Sequence, residues 1–206
     1  MLLAVITAGV AEVVAQLLHV YRYSYDAYTH MFFADHYRRD WFNLWEPRWY
    51  WGFSVTAYPP LTHELIALLS LLSNIEVAYQ ILAIATSISL TYSVYLYSRI
   101  FLHQREAEFA ALIASLLPAT GTVLNGFGQL PTVLSTSFAL IATYKYNEYL
   151  TSGSMRSLAQ SSLLTSSSAF AHHFTFLFFV PATQIIIFVR HLRGRVLTTI
   201  LRTFIH

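Results

Sequence analysis

The chain alternates between long apolar runs and one extended polar, aromatic stretch. Met1 to Val20 is a continuous apolar run of about the twenty residues a helix needs to cross a bilayer. Glu12 and Gln16 stand four apart within it, on one helical face, and are expected to turn toward other helices because a lone carboxyl in lipid is costly. The polar stretch Tyr21 to Pro60 follows. It holds all four tryptophans (Trp41, Trp45, Trp49, Trp51) together with Arg22, Arg38, Arg39 and Arg48. So long a segment without evident regular structure is usually functional, and its rings suit a membrane–water boundary.

Beyond it, Leu61 to Ser73 is too short to span. Leu61, Leu65, Leu68, Leu69 and Leu72 fall on one helical face and His63, Ala67, Ser70 and Asn74 on another. Pro59 and Pro60 set its start, and it is expected to lie on the membrane rather than cross it. Apolar periodicity then predicts crossings over 76–101, 107–124, 131–149, 157–171 and 174–189. A turn is expected at Asn125–Pro131, a break at His172-His173 and a kink at Pro181. The fold expected is all-α, a polytopic transmembrane bundle of about six crossings in a single membrane domain, 1–206. Its parts are a first crossing (1–20), a large external loop with interfacial helices (21–75) and five further crossings (76–189).

Charge orients this arrangement. With 61–73 on the surface, Arg99, Arg105, Lys145, Arg156, Arg190, Arg193, Arg195 and Arg202 share one side, which the positive-inside rule makes cytoplasmic. The protein is then a multi-pass cell-membrane protein with a cytoplasmic N-terminus. Tyr21–Asn74, the Asn125–Pro131 turn and His172-His173 meet on the opposite face.

Composition agrees: 56% of residues are hydrophobic and 11% charged, against roughly 25% charged in soluble domains. A net charge of +2 and the lack of a long basic run argue against nucleic acid as a partner. The absence of cysteine excludes disulfides and thiolate metal sites.

Candidate chemistry sits in the polar stretch. A helix after the first crossing places Asp26 and His30 on one face, where a carboxylate at the boundary can take a proton from a hydroxyl. Arg48, flanked by tryptophans, suits either a phosphate or an aromatic face. His63, His172 and His173, with Asp26, His30 and Asp35, are metal-ligating by residue type. Asp26, Asp35 and His36 are the first candidates for any divalent cation, although no HExxH or comparable spacing occurs. GxSxG, Walker and GxGxxG motifs are absent.

Three motifs, Tyr25-Asp26-Ala27-Tyr28-Thr29-His30, Trp45-Glu46-Pro47-Arg48-Trp49-Tyr50-Trp51-Gly52 and Tyr58-Pro59-Pro60-Leu61, lie in the same order as motifs of a group of membrane proteins labelled "6-pyruvoyl-tetrahydropterin synthase-related". Asn125-Gly126-Phe127-Gly128-Gln129-Leu130-Pro131 and Ala171-His172-His173 resemble that group's later motifs. More broadly, an Asp closing the first crossing and a large external loop resemble the start of GT-C glycosyltransferases. That resemblance implies the N-terminal part of a longer protein. It also implies transfer of a sugar from a polyprenyl-phosphate carrier to a glycan, lipid or protein acceptor on the extracytoplasmic face. Asp26 is then the general base, or a metal and acceptor ligand, with His30 beside it. Arg48, Tyr58, His63, Gln129, His172 and His173 are assigned to acceptor and donor binding. Rival readings are a non-catalytic scaffold that binds lipid-linked glycan or partner proteins, and a transporter that uses Glu12.

Overall fold

The computed structural model describes the backbone of residues 1–205 and the side chains of residues 1–193. Arg195 and Arg202, counted above among the cytoplasmic charges, lie outside the described side chains. Helix α1 (Leu2–Leu17) leads through a short 3-10 turn (Val20–Tyr23) into α2 (Ala27–Arg39). A two-stranded antiparallel ribbon follows, β1 (Trp45–Glu46) against β2 (Phe53–Ser54), with Trp45 opposite Ser54 and Glu46 opposite Phe53. Then come α3 (Leu61–Leu69), α4 (Ile75–Ser98), α5 (Gln104–Leu116), the short α6 (Pro118–Gly121), α7 (Leu130–Ser152), α8 (Met155–Ala171) and α9 (Val180–Ile205). The chain is all-α apart from that ribbon.

Among the described residues, two stretches are long and apolar enough to cross a membrane, Ile75–Ser98 and Thr175–Arg193, and a third qualifies if a bent pair forms one span. That pair, Gln104–Leu116 with Pro118–Gly126, bends by 49°. Pro118 explains the bend: it lacks an N–H, and its ring drives Leu117 into extended backbone (φ −66°, ψ 119°). Helix α1, at sixteen residues, belongs to the shorter apolar helices. Neither α7 nor α8 reaches the apolar content of a crossing, because serines and threonines line their mutual contact. Ser135 donates to the Ser168 carbonyl at 2.8 Å, and Ser161 to that of Ala142 at 2.8 Å.

The end of the last segment and the expected kink at Pro181 both differ from the sequence expectation. The last apolar segment does not stop at Val189; α9 continues to Ile205. Pro181 falls in its first turn, directly after a π-helical segment, Thr175–Phe179. Without an N–H at Pro181 the Leu177 carbonyl has no i+4 donor, which suits a wider turn there.

Helix α3 buries Thr62, His63, Ile66, Ala67 and the following Ser70, while Leu68, Leu71 and Leu72 are exposed. His63, Ala67 and Ser70 of the expected polar face therefore pack inward, but the expected leucine face divides: Leu65 and Leu69 pack against the core, and only Leu68 and Leu72 of it, with Leu71, point away from the protein. At about 1.5 Å per residue, nine residues fall well short of a hydrocarbon core of about 30 Å.

The core that positions the loop joins Tyr21, Ala27, Met31 and Ala34 to Ile66, Tyr79, Leu82, Leu124 and Leu130. A second cluster, Phe33, Tyr37, Val55 and Ala67 with Trp41, Phe53 and Tyr58 against it, fastens the ribbon to α2 and α3.

Candidate functional site

Asp26 occupies the N-cap position of α2, yet its side chain does not cap. The Ser24 hydroxyl accepts the Ala27 N–H at 3.0 Å instead, which frees the carboxylate for another partner. That partner is Gln129, whose Nε2 donates to Asp26 Oδ2 at 2.7 Å. Thr132 Oγ1 donates to Gln129 Oε1 at 3.1 Å, so the amide can present only its nitrogen to the acid. Oδ1 of Asp26 has no hydrogen-bond partner among the described residues.

The turn bearing Gln129 is docked on the start of α2 by backbone bonds. Tyr25 N donates to the Gly126 carbonyl at 3.1 Å, and Asp26 N to that of Phe127 at 3.2 Å. Gly128 makes this approach possible. It sits at φ +71°, and a Cβ there would meet Ser24 Oγ and lie 2.7 Å from the Ala27 nitrogen.

One turn further along α2, His30 Nδ1 meets His63 Nε2 at 3.1 Å. Both rings are buried. Tyr58 stands edge-on to His30, and Phe33 stacks on His63 at 4.9 Å between centroids. Burial holds His30 down to about 4; the nearby His172 adds to that, while the Gly128 carbonyl, short of hydrogen-bond geometry, opposes it. Burial and the adjacent His30 likewise lower His63. The pair is thus neutral, with one ring donating to the other. His30 Nε2 and His63 Nδ1 are both without partners, so one outer nitrogen carries a proton and the other a lone pair. His172 Nδ1 accepts the Thr175 backbone N–H at 3.3 Å, which leaves Nε2 as an N–H donor. Burial, then His173, lowers its basicity. Tyr58 is raised by burial and by the Asp26 charge.

Asp26, Gln129, His30, His63, Tyr58 and His172 therefore gather at one place. Arg48 belongs to a second cluster on the ribbon. Its Nε donates to Glu46 Oε1 at 2.8 Å, and its two terminal nitrogens reach Glu46 Oε2 and Asp35 Oδ2, each at 2.5 Å. Two of its five N–H groups remain free. The guanidinium also lies over Phe32, 4.8 Å from the ring centre, and shares a cavity with Tyr28, Thr29, Phe32 and Trp49. His36 bridges Glu46 Oε2 (2.9 Å) and the Asn43 carbonyl (2.6 Å). His173 is exposed.

The three metal candidates do not converge: Asp26 is held by Gln129, Asp35 by Arg39 and Arg48, and His36 by Glu46. Among the described residues no three His, Asp or Glu side chains are grouped to hold a metal ion. Sequence reasoning passed over Glu46, the acid at the centre of the ribbon, and Thr132, which orients Gln129. Their signals were short spacings, Glu46 two before Arg48 and Thr132 three after Gln129.

The hydrogen bonds from Arg48 hold the Glu46 carboxyl down to about 2, with burial opposing and His36 assisting. A carboxyl depressed in the folded state contributes stability that is complete above its ordinary pKa and lost as pH falls through the folded one. The ribbon should therefore open between about pH 4.5 and about 2. All four tryptophans lie in 41–51, so a red shift of intrinsic fluorescence in that window is the expected signal. An unchanged spectrum down to pH 2 would remove the role given to Glu46. The neutral histidines act in a separate, higher window. Unfolded chains take up protons below about 6.5 that folded His30 refuses until about 4, so stability declines as pH drops across that interval.

No curated protein and no solved structure matches the chain. Residues 55–205 match the family described as "6-pyruvoyl-tetrahydropterin synthase related domain; membrane protein". That range takes in α3, the Gly128 turn and His172, and the chain accordingly belongs to this membrane-protein family.

Proposed function

We propose that the chain is the site-bearing part of a GT-C-like membrane glycosyltransferase. It transfers a sugar from a polyprenyl-phosphate carrier to an acceptor hydroxyl on the extracytoplasmic face. The proposal includes about six crossings and a cytoplasmic N-terminus, with α1, the bent pair, and α7 and α8, whose serines and threonines face each other, counted as spans beside α4 and the last helix. It rests above all on Asp26, a carboxylate with one oxygen fixed by an oriented amide and the other unpartnered. A general base needs that combination of fixed direction and a free lone pair. His172, as an N–H donor near His30, suits a developing phosphate charge. Arg48, already neutralised by two carboxylates, suits a neutral sugar hydroxyl better than a phosphate.

In the reaction, Asp26 Oδ1 removes the acceptor hydroxyl proton as that oxygen attacks the anomeric carbon. The bond to the carrier's phosphate oxygen breaks, and the polyprenyl phosphate leaves with its electron pair. Purified protein given a polyprenyl-phosphate hexose and an oligosaccharide acceptor should release polyprenyl phosphate, measured by mass spectrometry. Release no faster than without protein, across a panel of hexose donors, would overturn the reading. Replacing Thr132 by Val frees the Gln129 amide and should lower kcat roughly tenfold with KM unchanged, while Thr132→Ser retains the rate. Equal losses in both variants would assign Thr132 to packing alone.

A further inference from the structure

The cavity beside Arg48 takes no part in the proton transfer assigned to Asp26. It holds about 290 Å³ between α2 and the loop joining β1 to β2, and is lined by Tyr28, Thr29, Phe32, Arg48 and Trp49. That volume lies at the small end of the roughly 300–1,000 Å³ of ligand pockets, room for one small ring and not for a lipid chain. Three of the five lining residues are aromatic. Trp49 stands at 77° to Phe32 with 5.8 Å between centroids, so two ring planes make a corner. Tyr50 stacks on Trp49 at 5.5 Å from a left-handed backbone (φ 52°), a conformation disfavoured for a residue with a Cβ. The indole is thus held in place before anything binds. Tyr28 and Trp49 are still 50% and 43% exposed, so ring surface is available to a ligand.

Polar groups share the same walls. Arg48 keeps two N–H groups that Glu46 and Asp35 do not take. Of the other lining residues, the Tyr28 and Thr29 hydroxyls have no hydrogen-bond partner among the described residues. Charge narrows the choice of ligand. Arg48 and Arg39 are set against Asp35 and Glu46, which leaves no surplus positive charge to draw a phosphate. A pyranose matches what remains: its C–H face suits the negative face of an aromatic ring, and its hydroxyls both donate and accept.

We infer that Tyr28, Thr29, Phe32, Arg48 and Trp49 form a binding site for one uncharged hexopyranose ring. Thr29 follows Asp26 by three residues, one turn along the same side of α2 and a rise of about 4.5 Å. A sugar seated there lies next to the carboxylate. Its role as the acceptor's terminal unit rests on the transferase reading above, whereas its binding does not.

The test uses the full chain purified in a detergent without a sugar headgroup. It is titrated with the methyl glycosides of glucose, mannose and galactose, and binding is followed by saturation-transfer NMR of the sugar protons. At least one glycoside should bind with half-saturation at roughly 1–10 mM, weak because a single ring makes few contacts. Trp49→Ala should weaken that binding about tenfold, and Thr29→Val, which removes a hydroxyl at nearly constant shape, about fivefold. Trp51→Ala, at a ring 97% exposed and outside the cavity, should leave it unchanged. No saturable signal from any of the three glycosides, or unchanged affinity in Thr29→Val, would overturn the site. Displacement of the glycoside by equimolar inorganic phosphate would overturn the neutral-ligand assignment. Should Trp49→Ala fail to fold, Thr29→Val and the phosphate competition decide the matter without it. Saturable binding without sugar transfer upholds the site and removes only the transferase; transfer without glycoside binding does the reverse.

Discussion

Replacing Asp26 by Asn is expected to cut sugar transfer by about a hundredfold to ten-thousandfold, the range a positioned base supplies, while leaving Tm unchanged. The two halves of that expectation separate chemistry from structure. Asn keeps an oxygen where Gln129 Nε2 donates, so the 2.7 Å bond and the docked turn survive. Ser24, not Asp26, caps α2, so the helix start does not depend on the carboxylate. What disappears is the basic oxygen. Transfer by the Asn variant at the parental rate would sink the base assignment. A large fall in Tm would show instead that the carboxylate is a structural anchor and leave transfer to another group.

Gly128→Ala should be strongly destabilising. The left-handed backbone at φ +71° costs about 1–2 kcal/mol for a residue with a Cβ. The added carbon also runs into Ser24 Oγ and the Ala27 nitrogen, an overpacking worth about 1–3 kcal/mol. Together, about 3 kcal/mol corresponds to a Tm lower by roughly 10 °C in a chain of this size. Relief by undocking the turn would break the bonds from Tyr25 and Asp26 to the Gly126 and Phe127 carbonyls. Gln129 would then leave Asp26, so transfer should fall along with stability. Gly126→Ala serves as the comparison, because a Cβ there meets only the Thr122 methyl at 3.6 Å. Equal Tm for the two alanine variants would contradict the packing described.

Much of this was legible in the residues because it depended on local rules. The double proline, the leucine spacing of 61–73 and the i, i+4 placing of Asp26 and His30 are properties of one helix each. The Asn-Gly pair and the closing Pro131 mark a turn for the same reason, although Asn125 itself lies in a π-helical segment. What could not be read were partners distant along the chain. Gln129 lies 103 residues from Asp26, and His63 lies 33 from His30. The ribbon has only two residues per strand, too few for an alternating pattern to register. Arg48 looked available because its neutraliser Glu46 sits two residues away, a spacing that does not share a face on a helix, and the strand that ends at Glu46 is too short to be read from the residues. The number of crossings is less legible for a different reason: a bundle can hide serines and threonines between its own helices, so apolar runs do not translate directly into spans.

Helix α3 has an inside-out character with a consequence of its own. Its packing is specified by Thr62, His63 and Ile66, whereas Leu68 and, in the turn just after it, Leu71 and Leu72 are exposed. Architecture and address are therefore written on opposite sides of one short rod. Evolution can retune where the protein sits by altering those leucines without disturbing the imidazole pair on the other side.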